Sequence, residues 1–377
     1  MHPPNAPRRR LAVVAGALIL AAALTVGGML SASADQRAAV VEADDPLPGR
    51  YIVVLKDGLK ATATPSALRS TAATLAENFD GKLRSTYVAT IHGFSVTGMA
   101  ASDARGLANE RSVRTVYEDG TARAIDTQSP ATWGLDRTDQ EALPLDNSYT
   151  YNNAGSGATA YVMDTGIRKD NPEFEGRASV GKDFFGGDGN DCQGHGTHVS
   201  GTIASKTYGV AKKVKVVALK VLGGDCSASG PDSGVIDAVE WVTANGVKPA
   251  VINMSLRMDN VGVGDDAIKE SVAAGFNYVV AAGNESQDAC NVSPARVPEA
   301  ITAGATDNND NRASFSNYGS CVDLFAPGVG IISASASGDT AAGSRSGTSM
   351  STPHVAGVAA LLTALGRDAA EVVRVLK

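Results

Sequence analysis

Ala160-Tyr161-Val162-Met163-Asp164-Thr165-Gly166-Ile167 joins an unbroken apolar run to an aspartate and a glycine turn. A half-buried strand alternates apolar and polar residues, whereas a run that is apolar at every position suits a strand covered on both faces. Similar short runs follow: residues 214–221, Ala250-Val251-Ile252-Asn253-Met254, Asn277-Tyr278-Val279-Val280-Ala281 and Ile301-Thr302-Ala303-Gly304-Ala305, with helical patterns between them. Strands alternating with helices predict an α/β fold with a doubly wound, mostly parallel sheet. In such sheets ligands gather beyond the carboxyl ends of the strands. Asp164 directly follows one run and Asn284 closely follows another, so both are expected on that rim.

Upstream, residues 50–118 read as Tyr51-Ile52-Val53-Val54-Leu55, a helix after Pro65, strands over 83–88 and 93–99, a helix from Ser102, and Val113-Arg114-Thr115-Val116-Tyr117. That β-α-β-β-α-β order predicts a separate small α+β, ferredoxin-like domain. Residues 118–130 lack periodicity and are expected to form an exposed linker, where proteases cut. The first 34 residues carry Arg8, Arg9 and Arg10, an apolar run over 11–30, then Ala32-Ser33-Ala34. This is the pattern of an export signal cleaved after Ala34. A run of that length also just spans a bilayer, so a retained anchor competes with it, and the small-residue site argues for cleavage. The expected organisation is therefore a signal over 1–34, a small domain over 35–126 and a large domain over 127–377. The mature product is expected to be soluble and extracytoplasmic, with no membrane contact once the signal is gone.

The chain has 33 Lys and Arg against 40 Asp and Glu, a net charge of −7, and from Thr127 onward the counts are 19 and 28. Nothing in that balance attracts nucleic acid. The excess acid either supplies calcium ligands or forms a solvated surface. Cys192, Cys226, Cys290 and Cys321 allow three pairings, and with no CxxC element and an export signal they favour disulfides over a zinc site.

Three glycine-dense motifs carry the chemistry: Asp164-Thr165-Gly166-Ile167, Gly194-His195-Gly196-Thr197-His198-Val199-Ser200-Gly201, and Ser346-Gly347-Thr348-Ser349-Met350-Ser351-Thr352-Pro353-His354-Val355-Ala356-Gly357. A serine hydroxyl is a poor nucleophile at neutral pH and needs a base within hydrogen-bond reach, a role suited to histidine. An aspartate fixes the tautomer of that imidazole. Ser349 opens a helical pattern, where backbone N–H groups favour a developing oxyanion. Taken singly, these residues read as a turn or cap aspartate, a satisfied histidine, a helix N-cap serine and an asparagine tolerating positive φ. Together, from about Gln128 almost to the C-terminus, the chain resembles the subtilisin-like serine peptidases, closest to the branch of proteinase K and aqualysin.

The resemblance implies a catalytic triad of Asp164, His195 and Ser349, with Asn284 as side-chain donor to the oxyanion. It assigns His198 and His354 to packing and hydrogen bonding; His92 falls in a predicted strand and reads as structural. It implies disulfides Cys192 with Cys226 and Cys290 with Cys321. It implies structural calcium on Pro298, Ala300 and Asp323, and a second calcium site at Asp136, Asp139, Gln140 and Asp146. The substrate is expected to be an extended peptide lying between residues 227–231 and Ser255-Leu256-Arg257. The primary pocket, lined by Ala281-Ala282-Gly283, has no charged floor, so apolar or aromatic side chains are expected before the cut. Relatives usually have Leu-Gly-Gly where this chain has Leu256-Arg257-Met258, so both large side chains are expected to narrow or recharge the subsites. The small domain resembles the inhibitor propeptide of these enzymes, an intramolecular inhibitor released by self-cleavage within 124–127. Only 28 residues follow Ser349, which leaves a C-terminal truncation open. The implied function is a secreted, monomeric serine endopeptidase made as a zymogen. A catalytically silent subtilisin fold used for binding, and an esterase, are the competing readings.

Overall fold

Seven parallel strands form the larger sheet: β1 (Thr159–Asp164), β2 (Ala178–Asp183), β3 (Lys215–Lys220), β4 (Ala250–Met254), β5 (Asn277–Ala281), β6 (Ile301–Thr306) and β7 (Leu324–Pro327). Their order is β7-β6-β5-β4-β1-β3-β2. The structure is a computed structural model that describes residues 40–43, 46–56, 64–122, 126–339 and 341–377. These residues fall into two compact units, one ending at Gly120 and the other beginning at Thr121. The expected export signal lies outside the described residues. Among the described residues no helix is long and apolar enough to cross a membrane.

In the larger unit, every residue of β1, β4 and β5 is buried, because helices cover both faces of the sheet. Side chains alternate along a strand, so β1 feeds two cores. Ala160 and Val162 pack with Val199 and Ile203 of α1 (His195–Ala204) and with Val355, Ala356 and Ala359. Tyr161 and Met163 pack with Val235, Ala238, Val239 and Val242 of α2 (Asp232–Asn245), in the layer that includes Ile268 of α3 (Asp265–Ala273). Val355 to Ala359 belong to α4 (Thr348–Ala364), which is buried along most of its length, and α5 (Ala369–Leu376) adds Val372 to the same core. The chain leaves β1 for the β2 edge, returns through β3, then crosses to β4 on the other side. Strand order therefore reverses at β1, and a crevice opens beyond its carboxyl end, where Asp164 stands.

The smaller unit pairs Pro46–Leu55 antiparallel with Gly93–Thr97 and Val113–Gly120, and Gly93–Thr97 with Lys82–Tyr87. Helix Pro65–Asn78 starts at Thr64, whose hydroxyl accepts from Ala67 N, and buries Leu68, Ala72, Leu75 and Ala76 along one face. Helix Ala101–Ala108 buries Ala104, Leu107 and Ala108. Strand order is fourth, first, third, second, with Val40–Val41 parallel to the fourth. His92, expected in a strand, instead occupies the turn before Gly93–Thr97 with φ 47°.

The linker expected over 118–130 is shorter than that. Val113–Gly120 continues the sheet through Gly120, and Asp126–Gln128 is a strand pairing with Tyr149–Tyr151. Lack of periodicity concealed it because three residues hold no more than one and a half repeats, and its partners come from elsewhere. The Gln128 side chain donates to Thr207 O at 3.0 Å and accepts from Lys212 Nζ at 2.5 Å.

Candidate active site

Asp164, the last residue of β1, is fully buried and presents both carboxylate oxygens to His195 Nδ1 at 2.8 and 2.9 Å. His195 opens α1, and its approach depends on glycine: a Cβ on Gly196 would lie 2.2 Å from the Gly166 carbonyl oxygen. The helix start is fixed by Asp191, itself 3% exposed. One oxygen accepts from Gly194 N, Gln193 N and Thr165 Oγ1, and the other from Thr197 N and Oγ1. A carboxylate at a helix N-terminus satisfies free N–H groups and opposes the positive end of the helix dipole. Thr165 adjoins Asp164, so the same carboxylate ties the segments of Asp164 and His195 together. Burial pulls the His195 pKa down, but the charge and hydrogen bond of Asp164 outweigh it and leave the pKa raised above 6.5.

Ser349 is the second residue of α4. Pro353, four residues on, has no N–H, so the Ser349 carbonyl is left without its helical donor. Ser255, just beyond β4, fills that gap through Oγ at 2.9 Å, while its own carbonyl accepts from Ser349 Oγ at 3.1 Å. Helix α4 begins at Gly347 with no side-chain cap of its own. Asn284, beyond β5, supplies one: its Oδ1 accepts from Thr348 N at 2.8 Å and Thr348 Oγ1 at 3.0 Å. With the amide oxygen so engaged, Nδ2 is the free end.

His195, Asn284 and Ser349 line one cleft of about 400 Å³, together with Ala228, Ser229 and Gly230 on one side and Ser255, Leu256 and Arg257 on the other. Ala281 and Gly283 also line it. The cleft as a whole carries charge, since Asp232, Arg257, Asp259 and Glu285 line it alongside Ala281 and Gly283. The expectation for Met258 fails. It is 2% exposed and bridges to Ser293 through its N–H at 2.8 Å, so only Arg257 of the pair reaches the cleft. Ser255's double link, Asp191 and Glu285 escaped the sequence reading. Asp191 alone had a local signal, an acidic residue just ahead of a glycine-led helix start.

His198 Nε2 lies 3.0 Å from the carbonyls of Ile331 and Gly343, and His354 Nδ1 lies 2.8 Å from Met350 O. Burial lowers both pKa values to about 4. Disulfides join Cys192 to Cys226 and Cys290 to Cys321.

Of the residues expected to hold calcium, Pro298 O and Asp323 already face a cation. Lys377 Nζ lies 2.8 Å from the carbonyl and 3.2 Å from Asp323 Oδ1, while Thr302 N donates to Oδ2. Ala300 is buried beside them in sequence. At the second group, Asp136 is buried and accepts from Asp146 N and Asn147 N, and Asp139 accepts from Thr150 N. Burial pushes the Asp139 pKa up, and the charges of Asp146 and Asp136 add to it. Among the described residues no donor faces the buried Gln140 Oε1. Among the described residues no three His, Cys, Asp or Glu side chains gather as a metal site, so carbonyl and amide oxygens would have to complete either one.

Comparison with known proteins agrees with this geometry. Residues 155–373 match the Subtilase family. An "Extracellular serine proteinase" of Thermus sp. (strain Rt41A) is 48% identical over 337 residues, covering 85% of this chain and 82% of the relative. The "Alkaline serine exoprotease A" of Vibrio alginolyticus is 44% identical over 331 residues, covering 84% of this chain and 61% of that protein. A crystal structure of a cold-adapted subtilisin-like serine proteinase superposes with a TM-score of 0.62 and 51% identity, over 65% of this chain and 89% of that one. With a buried aspartate clasping a histidine at the rim of a parallel sheet, and a serine at a helix start in the same cleft, the chain belongs to the subtilase family.

Proposed function

We propose that this protein is a secreted serine endopeptidase in which Ser349 is the nucleophile, His195 the general base, Asp164 its orienting carboxylate and Asn284 the side-chain donor to the oxyanion. The observation that carries this is the two-oxygen clasp of Asp164 on His195 Nδ1 within the cleft that holds Ser349. Because Nδ1 faces a carboxylate it carries the proton, and Nε2 is left with the lone pair that a base needs. In the resting geometry Ser349 Oγ donates to the Ser255 carbonyl, and for attack its proton turns instead to that lone pair. As Oγ attacks the peptide carbonyl carbon, the proton passes to Nε2, and the imidazolium so formed is held by Asp164. The oxyanion meets the Ser349 N–H, free of an acceptor in the first helical turn, and Asn284 Nδ2. His195 then protonates the leaving amine, and the same groups activate water to release the acyl group from Ser349. An extended peptide fits between residues 228–230 and 255–257, the two backbone walls of the cleft.

The smaller unit, on this reading, is the enzyme's own inhibitor, removed by self-cleavage within 124–127. Residues 124 and 125 lie outside the described residues. Exchange of Ser349 for Ala is expected to abolish both peptide hydrolysis and conversion of the precursor, read by gel mobility; conversion that persists in a pure Ser349→Ala preparation contradicts the assignment. Structural calcium is assigned to Asp139, Gln140 and Asp146 with Asp136, where no donor among the described residues faces Gln140 Oε1, and to Pro298, Ala300 and Asp323, where an ammonium stands in for a cation. Bound there, calcium would neutralise the loop carboxylates and hold them rigid. Chelation is expected to lower the melting temperature, and calorimetric titration to show binding that Asp139→Asn weakens; no heat of binding would remove the assignment.

A further inference from the structure

Charge is unevenly placed in the cleft. Among the described residues lining it, Arg257 is the one formal cation, set against Asp232, Asp259 and Glu285. Its guanidinium is held from two sides: one terminal nitrogen lies 3.1 Å from Asp259 Oδ1 and Nε lies 3.6 Å from Glu285 Oε1. Arg257 is on the segment beyond β4 and Glu285 on the segment beyond β5, neighbouring strands of the sheet, so the pair spans the groove between their carboxyl ends. Both ends adjoin the reacting groups. Arg257 is two residues from Ser255, which bonds the nucleophile twice, and Glu285 directly follows Asn284. Asp232 and Glu285 have further donors, Asn260 and Asn317 respectively, whereas among the described residues Arg257 is faced by the two carboxylates alone.

We infer that the Arg257–Glu285 bridge is the specificity element of this enzyme, selecting peptides with an uncharged side chain next to the cut. The inference rests on the peptidase reading above. A neutral side chain enters alongside the closed bridge without disturbing it. A basic one reaches Glu285 only by displacing Arg257, and an acidic one reaches Arg257 only by displacing Glu285 or Asp259. Discrimination is a difference between transition states, and a site with its own counter-ions in place sets charged substrates at a disadvantage in both directions. The two partners are 54% and 37% exposed, so the bridge opens readily and its effect is graded.

The test is a set of three peptides identical except for Phe, Lys or Glu before the scissile bond, with kcat/KM measured for the parent, Arg257→Gln, Glu285→Gln and the double variant. Ratios to the Phe peptide cancel losses common to all substrates. Arg257→Gln leaves carboxylates unopposed and is expected to raise the Lys-to-Phe ratio about fivefold, the size of a surface ion pair. Glu285→Gln is expected to raise the Glu-to-Phe ratio similarly and lower the Lys-to-Phe ratio, and the double variant to return both towards the parent. Shifts should shrink at high salt. Ratios that stay within twofold in both single variants, or move in the same direction, overturn the inference. Fluorophosphonate labelling of each variant separates the outcomes: loss of labelling in the parent removes the peptidase reading, whereas unchanged ratios in labelled enzyme remove only the bridge.

Discussion

His195 is governed by two opposed influences, burial that disfavours its charged form and an Asp164 carboxylate that favours it, and the carboxylate prevails. The imidazole must be neutral to accept the Ser349 proton, so the alkaline side of its titration is the active side. The rising limb of kcat/KM against pH is therefore expected above 6.5, and Asp164→Asn should both cut the rate and remove the upward displacement. A limb at or below 6.5 in the parent enzyme contradicts the role given to Asp164. The residues proposed as the triad stand out in the sequence because each sits in a glycine-dense motif, where the backbone approaches closely, as between Gly166 and Gly196. Glu285 and Asp191 were less legible, since one acts through a neighbour across the sheet and the other through five donors gathered by folding.

At the scale of elements, the parts of the proposed active site arrive on three different kinds of end. Asp164 ends a strand, His195 and Ser349 begin helices, and Asn284 follows a strand but caps a helix that has no cap of its own. The parallel sheet was readable from runs such as Ala250–Met254, buried at all five positions. Asp126–Gln128 was not, because a three-residue strand has almost no pattern and is held by Tyr149–Tyr151 and by Lys212. Met258 was misread for a related reason: its burial is decided by the bridge to Ser293, 35 residues away in sequence. The disulfide Cys192–Cys226 encloses the segment that carries His195, with a sequence separation of 34. Its removal by Cys192→Ser with Cys226→Ser is expected to cost about 3–4 kcal/mol of stability on the chain-entropy account. Denaturant unfolding reads this directly, and a loss below about 1 kcal/mol would assign the bond a merely local role.

For the whole molecule, the buried histidines couple stability to pH. His198 and His354 stay neutral in the folded protein down to about pH 4 but protonate near 6.5 when unfolded. Their folded pKa values are depressed, so the stability they permit is present above 6.5 and is lost as pH falls from 6.5 to about 4. Each contributes on the order of 3 kcal/mol across that window. Melting temperature is expected to fall steeply there, and His198→Gln should flatten the slope; a parent enzyme whose melting point is level between pH 6.5 and 4 contradicts this. Of the excess of acid over base in the larger unit, some faces His195 and some lines the cleft.

The central claim, that Ser349 is made nucleophilic by His195 and Asp164, is tested most directly by treating the folded, processed protein with a fluorophosphonate and mapping the adduct by peptide mass. One adduct per chain on Ser349 is the result expected, absent in Ser349→Ala and formed far more slowly in His195→Ala. No adduct on the folded protein, or an adduct on another residue, would contradict it and leave a subtilase fold that binds without cutting.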